Sequence, residues 1–248
     1  MSHWLCLHGW GGSKSDFEMG KLGGLSGRKT FAQSRFSVPF ADFSSFLASL
    51  GHPAELIDAL RDMPHMTWVD DALGSALDTV LPLPGGEFQV RVPLLPWQRA
   101  LDDLAALWTS DGPFTGVAGF SQGGWLAILL LAAARQFPER YACFASLRTA
   151  IVIAVPDRRI ANSGSGSSAD APSSDAAEAA LVLRSDEKLA VRTVVLRGTR
   201  DPLLKPLDGV QYASLLSLFC DATVREYAGA HQVPFDRALW TELSSAAE

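Results

Sequence analysis

The stretch that most constrains this chain is Gly119-Phe120-Ser121-Gln122-Gly123, a GxSxG pattern between two apolar runs. The run before it, residues 114–118 (FTGVA), is typical of a short strand, and residues 125–134 (WLAILLLAAA) are rich in Leu and Ala, which favour helix. A strand, a tight turn and a helix in that order are the context of a nucleophile elbow. Glycine on either side of the serine leaves room where Cβ atoms would collide at a strained corner. The pattern predicts that Ser121 stands on a sharp turn as a nucleophile.

Size and charge restrict the partners of such a chain. It has 248 residues, of which 48% are hydrophobic, and this is enough to bury the core of one domain. The formal net charge of -6 would repel nucleic acid and anionic membrane surfaces at long range. No apolar stretch reaches the roughly 18 residues that cross a bilayer. We therefore predict a single domain over residues 1–248, a small-molecule substrate, no nucleic acid partner and no stable membrane insertion.

The cysteines and the N-terminus indicate a compartment. Cys6, Cys143 and Cys220 are odd in number and lie in apolar sequence, which favours reduced core thiols over disulfides. A strand pattern begins at residues 2–7 with no signal peptide before it, so we predict a cytoplasmic protein. Cys6 as the nucleophile is an alternative that its strand disfavours, because burial suppresses thiol reactivity. The histidines and cysteines show no ligand spacing, and neither a metal nor an organic cofactor is predicted.

A glycine-rich loop, residues 8–13 (HGWGGS), follows the first predicted strand at residues 4–7. It lacks the spacing of the known phosphate-binding loops. Acyl transfer needs two backbone N–H groups aimed at the developing oxyanion, and we assign them to Trp10 and to Gln122, directly after the nucleophile. His8 could be the general base, but we expect it to orient this loop by hydrogen bonding instead.

The segment from residue 43 to residue 108 is less regular. Apolar residues at helical spacing predict helices at 43–50 and 53–63, and their aromatic side chains are expected to serve the core more than the substrate. A short strand is predicted at 66–70. The proline-rich residues 81–96 cannot continue a helix, so we predict an irregular stretch that borders a pocket. A helix is predicted at 97–108.

The second half of the chain alternates predicted strands with predicted helices. The strands are predicted at 149–155, 190–196 and 222–227, and the helices at 210–219 and 236–244. Together with the first half, this order predicts an α/β fold with a mainly parallel sheet and helices on both faces. Residues 161–180 are small and polar, and we predict a flexible insertion there; a linker is favoured, and a lid over the site is the alternative.

Two further residues complete a predicted catalytic triad. Asp201 follows one predicted strand, and His231 follows the last, at the ends of strands where α/β enzymes build their sites. In this arrangement His231 accepts the proton of Ser121, and Asp201 holds the imidazole tautomer and stabilises the imidazolium. Asp208 and Asp221 are rival acids.

Four stretches of the sequence resemble the FSH1-type serine hydrolases, which include the eukaryotic ovarian-cancer-associated gene 2 proteins. These stretches are LCLHGWGGS, DGPFTGVAGFSQGG, VLRGTRDPLL and AGAHQVP. The resemblance implies an α/β-hydrolase fold, the triad Ser121, Asp201 and His231, and hydrolysis of carboxylic esters. Thioesters are the neighbouring possibility, because some fungal relatives release polyketide acyl chains. Residues 25–96 and the insertion at about 161–180 depart from the family pattern, and both are expected to border the acyl pocket.

The sequence therefore predicts a serine hydrolase that acts on esters through an acyl-enzyme. Alternatives that use the same triad are an acyl thioesterase, a lactonase and a C–C bond hydrolase, because one triad serves several leaving groups. An alternative from another class is a noncatalytic ligand-binding protein with this fold, although such proteins typically lack a triad member.

Overall fold

The computed structural model describes residues 2–18, 22, 24–69, 79–160, 180–204 and 211–247. Its strands, numbered in chain order, are β1 (His3–Leu7), β2 (Arg28–Ala32), β3 (Phe36–Ser37), β4 (Met66–Thr67), β5 (Thr79–Pro82), β6 (Phe88–Pro93), β7 (Gly116–Phe120), β8 (Thr149–Ile153), β9 (Arg158–Ile160), β10 (Ala180–Arg184), β11 (Leu189–Gly198), β12 (Gln211–Ala213) and β13 (Phe219–Tyr227). The helices are α1 (Lys14–Glu18), α2 (Phe40–Ser49), α3 (Ala54–Ala59), α4 (Leu95–Asp111), α5 (Gln122–Gln136), α6 (Pro138–Tyr141) and α7 (Arg237–Ala247).

Six strands form one central sheet in the order β13-β11-β8-β7-β1-β2, and every neighbouring pair is parallel. All five residues of β8 are buried, as expected for a strand covered on both faces. The predicted α/β fold with a mainly parallel sheet is confirmed. Because the strands are parallel, the loops that leave their carboxyl ends meet at one edge of the sheet.

Helices cover both faces of this sheet, and the side chains of β1 divide between them. Leu5 and Leu7 point into a core cluster that includes α4 and α5. Trp4 and Cys6 point into a second cluster that includes residues of α1 and α7. This alternation follows the two-residue period of a strand. In the part of the chain that the structure describes, no helix is long and apolar enough to cross a membrane.

The prediction of an irregular stretch at residues 81–96 is wrong. Strands β5 and β6 pair there as an antiparallel hairpin, and β10 pairs with the other edge of β6. Phe88, Val90 and Val92 alternate with less buried residues and enter the core, so this face stabilises a strand despite the neighbouring prolines.

The helix predicted at residues 210–219 is also wrong. The chain instead forms β12, a short 3-10 turn at Leu215–Leu218 and the start of β13. Pairing of β12 with β9 draws residues 211–213 into a strand. The apolar spacing that suggests a helix comes from Leu215 and Leu218, and the turn buries both side chains. The predicted insertion at 161–180 lies outside the described residues up to residue 179, as does the rival acid Asp208.

Candidate active site

Ser121 lies on the turn that joins β7 to α5. Its backbone has φ 51° and ψ -115°, a left-handed conformation that costs a non-glycine residue free energy. The Ser121 backbone N–H donates to the carbonyl of Ile153 at 2.8 Å, which ties the turn to the neighbouring strand. The elbow predicted from the GxSxG pattern is present.

Close packing explains the two glycines of the motif. A Cβ on Gly119 would lie 2.3 Å from the Gly123 carbonyl oxygen. A Cβ on Gly123 would lie 2.3 Å from the His8 carbonyl oxygen. Backbone atoms cannot yield to such contacts, so only glycine lets the elbow pack against itself and against the end of β1.

The structure brings Ser121, His231 and Asp201 together from three separate strand ends. Ser121 Oγ lies 2.9 Å from His231 Nε2, and Asp201 Oδ2 lies 2.8 Å from His231 Nδ1. The Asp201 side chain is fully buried and that of His231 is only 5% exposed. The Asp201 carboxylate thus faces Nδ1 and keeps the ring proton on that nitrogen. The lone pair of Nε2 then points at the Ser121 hydroxyl.

The Asp201 carboxylate has a second partner, because its Oδ1 accepts the Leu203 backbone N–H at 2.9 Å. Its turn also contacts the histidine loop, since the Arg200 N–H donates to the Gly229 carbonyl at 2.8 Å. Gly198 allows this approach, as a Cβ there would lie 2.5 Å from the Ala230 carbonyl oxygen. The acid and the histidine are therefore held by contacts between their own loops.

The side chain of Tyr227 supports the loop that carries His231. Its hydroxyl donates to the carbonyl of Ala230 at 3.3 Å and to the carbonyl of Gln232, on either side of His231. Burial, and next the nearby Asp201 carboxylate, raise the pKa of Tyr227 to about 12. The phenol accordingly keeps its single proton, which the two carbonyls share, throughout the neutral range.

The rival residues lie elsewhere. Asp221 is exposed on β13, and its carboxylate lies 3.6 Å from Arg192. Burial raises the pKa of Cys6 to about 12, which leaves its thiol protonated. Cys220 is exposed, so the expectation of core thiols is wrong for this residue. In the ranges that the structure describes, no group of three or more His, Cys, Asp or Glu could hold a metal ion.

His8 is almost completely buried beside the glycine-rich loop. Its Nε2 accepts the Ser34 backbone N–H at 3.3 Å, so the ring proton lies on Nδ1, which donates to the Gly9 carbonyl at 2.8 Å. Both ring nitrogens are engaged in holding the loop, which fits the orienting role expected for His8.

The two N–H groups assigned to the oxyanion flank the elbow. β1 and β7 are neighbours, with Leu7 opposite Gly119, so the loop that carries Trp10 lies beside the turn that carries Gln122. Gln122 is the first residue of α5, where N–H groups have no partner within the helix. Among the described residues, neither the Trp10 nor the Gln122 backbone N–H donates a hydrogen bond.

A cavity of about 360 Å³ opens beside Ser121 and His231. Apolar side chains of α2 and of the segment around α3 form most of its wall: Phe43, Phe46, Leu47, Leu50, Leu60 and Met63. No Asp, Glu, Lys or Arg of the described residues lines it. Phe43 and Phe46 of α2 both line this cavity, and Phe43 is also buried, as expected for a residue of the core.

The segment at residues 25–96, expected to border the pocket, divides in two. Its α2 and α3 region lines the cavity, whereas residues 81–96 contribute nothing to the lining. The buried members of this stretch, Phe88, Val90, Val92 and Leu94, pack instead in the core that contains α4 and α5. The expectation of a pocket wall at 81–96 is wrong, because Phe88, Val90 and Val92 of β6 are buried in that core.

A family model described as serine hydrolase (FSH1) matches residues 1–242 of the chain. The chain belongs to the FSH1 serine hydrolase family. Comparison with curated protein sequences finds no match. The resemblance that the motifs suggest is thereby confirmed over nearly the whole chain.

Solved structures share the fold of this FSH1 family member. A carboxylesterase from Mesorhizobium loti has a TM-score of 0.51 at 14% identity, covering 98% of this chain and 88% of that chain. ClbQ from the colibactin NRPS/PKS pathway has a TM-score of 0.50 at 12% identity, covering 99% and 96%. At identities this low, the structural likeness establishes a common fold and nothing further.

Sequence reasoning missed two features of this FSH1-family site. Tyr227 is the last residue of β13. From local sequence, a tyrosine that only packs in the core cannot be told from one whose hydroxyl supports a loop. The Gln122 side chain is held by residues 67 and 68, and no short-range pattern links positions so far apart. The apolar face of α2 was visible as a signal, but core and cavity walls share that pattern.

Proposed function

We propose that this protein hydrolyses carboxylic esters, and the corresponding thioesters, of apolar acyl groups through an acyl-enzyme on Ser121. The observation that carries the proposal is the unbroken hydrogen-bonded series from Asp201 through His231 to the Ser121 hydroxyl, at 2.8 Å and 2.9 Å. It supports a base-activated nucleophile, which a protein that merely binds a ligand does not need.

The first half of the reaction forms the acyl-enzyme. Ser121 Oγ attacks the carbonyl carbon while its proton passes to His231 Nε2, and Asp201 stabilises the imidazolium. The N–H groups of Trp10 and Gln122 bind the oxygen that becomes negative. The bond to the leaving alcohol or thiol then breaks, and that group takes the proton from His231 Nε2.

The second half returns the enzyme to its starting state. A water molecule gives a proton to His231 Nε2 and attacks the acyl carbon, and the same two N–H groups bind the second oxyanion. Collapse breaks the bond to Ser121 Oγ, which takes back the proton. The acid is released, and no cofactor takes part in this scheme.

The cavity supports an uncharged, apolar acyl group. Its walls are mainly Phe, Leu, Met and Trp side chains, and a charged acyl group would lose hydration there with no Asp, Glu, Lys or Arg among the described lining residues to pair with it. Ester and thioester differ in the leaving atom, which the triad treats alike, so the proposal names the acyl class and includes both leaving groups.

Active-site labelling tests the proposed nucleophile directly. We expect a fluorophosphonate probe to modify the purified protein once, with mass spectrometry locating the adduct on Ser121. The variant His231→Ala should label about 10³-fold more slowly, because the hydroxyl loses its base. A folded wild-type protein that does not label, or labels elsewhere, would contradict the mechanism and favour a ligand-binding protein.

Narrowing the cavity should change the preferred chain length. In Leu47→Phe we expect kcat/KM for a decanoyl p-nitrophenyl ester to fall about tenfold, with the butanoyl ester changed less than about twofold. The reason is that each methylene buried in an apolar site contributes about 0.8 kcal/mol, and the added ring leaves the narrowed cavity less room for a long chain than for a short one.

The matched control for this change is Leu56→Phe. Leu56 lies on α3, is 45% exposed and does not line the cavity, so this variant should keep the wild-type ratio of the two esters. An unchanged ratio in Leu47→Phe would show that the acyl chain binds elsewhere.

A further inference from the structure

The Gln122 side chain is held by β4 and the residue that follows it. Gln122 Oε1 accepts the Trp68 backbone N–H at 3.0 Å and the Thr67 hydroxyl at 3.1 Å. Its Nε2 donates to the Thr67 hydroxyl oxygen at 3.0 Å. The residue whose N–H is assigned to the oxyanion is thus fixed at its side chain as well as by α5.

The same short segment holds the other side of the oxyanion site. The Gly11 N–H donates to the Met66 carbonyl at 2.8 Å, and the Met66 N–H donates to the Gly12 carbonyl at 3.2 Å. His65 Nδ1 donates to the Gly11 carbonyl at 3.2 Å. These bonds fix the residues directly after Trp10.

Trp68 extends this hold to the start of the glycine-rich loop. Its indole N–H donates to the His8 carbonyl at 2.8 Å, and its ring stacks on the His8 imidazole with centroids 4.7 Å apart. Trp68 is 1% exposed and Thr67 is also 1% exposed, so water does not compete strongly for these bonds.

We propose that residues 65–68 form a positioning segment that holds the Trp10 and Gln122 N–H groups in register for the oxyanion. This inference rests on the proposed function and adds a role for residues that lie outside the triad and, apart from His65, outside the cavity wall. Oxyanion stabilisation depends on donors that are oriented before the reaction, because reorienting them during it would cost the free energy they supply. Thr67 is the central member, since its hydroxyl contacts both polar atoms of the Gln122 amide.

The substitution Thr67→Val isolates this role, because it replaces the hydroxyl with a methyl group of similar size. We expect kcat for a p-nitrophenyl ester to fall about 5- to 50-fold with KM changed less than about twofold, a fraction of the roughly 10²- to 10³-fold lost with a whole oxyanion donor. Thr67→Ser keeps the hydroxyl and should recover most of kcat.

Thr193→Val is the matched control. Thr193 is a fully buried threonine of β11 whose hydroxyl bonds the Val191 carbonyl at 3.2 Å, away from the oxyanion site. The Thr193→Val variant measures the general cost of removing a buried hydroxyl, and its kcat should stay within about twofold of wild type.

Hydrogen exchange separates the inference from the proposed function. In Thr67→Val, the hydrogen-bonded amides of Gly11, Gly12 and Trp125 should exchange faster than in wild type, whether or not an ester is turned over. A wild-type protein without hydrolysis or labelling would overturn the proposed function alone. Unchanged kcat together with unchanged exchange in Thr67→Val, or equal losses in Thr67→Ser and Thr67→Val, would overturn the positioning role.

Discussion

Replacing Ser121 with alanine is expected to lower kcat for ester hydrolysis by about 10⁵- to 10⁶-fold. Loss of the nucleophile removes the acyl-enzyme route, and its partners cannot compensate because the triad acts as a unit. A residual acceleration of about 10³-fold over water is expected from the oxyanion donors and from binding. Steady-state turnover of p-nitrophenyl esters measures the loss, with protein prepared free of host esterases.

The strained backbone provides a folding control for this variant. Ser121→Ala keeps a Cβ at φ 51°, so its free energy of unfolding should stay close to that of wild type. Ser121→Gly removes that Cβ and relieves the strain, and this variant should be equally inactive and at least as stable. Turnover retained in either folded variant would remove Ser121 from the mechanism.

Most strands of the central sheet, including the edge strand β13, and the longer helices could be predicted. β1, β7, β8 and β11 read as apolar runs because a central parallel strand is covered on both faces, and so its residues need no alternation. β2 at the sheet edge escaped prediction, since its residues RKTFA are mostly polar and only Ala32 is buried. The β5 and β6 hairpin escaped because its prolines outweighed the alternation of Phe88, Val90 and Val92.

The candidate site also has a part that local sequence predicts and a part that it does not. Ser121, Asp201 and His231 each follow a recognisable strand, and the parallel order of strands requires that such ends meet at one edge of the sheet. Their approach to within 3 Å could therefore be anticipated from local pattern and topology. The cavity wall and the contacts to the Gln122 amide depend on how α2, α3 and β4 pack above that edge, which no local pattern specifies.

Asp201→Asn is expected to lower kcat about 10³- to 10⁴-fold without unfolding the protein. The asparagine oxygen can still accept the Leu203 N–H, so the turn keeps its bond. Its amide nitrogen is a donor, however, and forces His231 Nδ1 to become an acceptor. The ring proton then lies on Nε2, which can no longer take the proton of Ser121.

The rival carboxylate supplies the comparison that decides the assignment of the acid. Asp221→Asn removes one charge of the same kind, but Asp221 is exposed, its partner is Arg192, and it has no contact with His231 among the described residues. This variant should retain kcat within about twofold, because an exposed ion pair contributes little. The reverse pattern, with Asp201→Asn active and Asp221→Asn inactive, would mean that the loops rearrange in solution and that the hydrogen bond to Nδ1 is not the one used in catalysis. The ratio of the two kcat values therefore tests the geometry of the triad independently of the identity of the substrate.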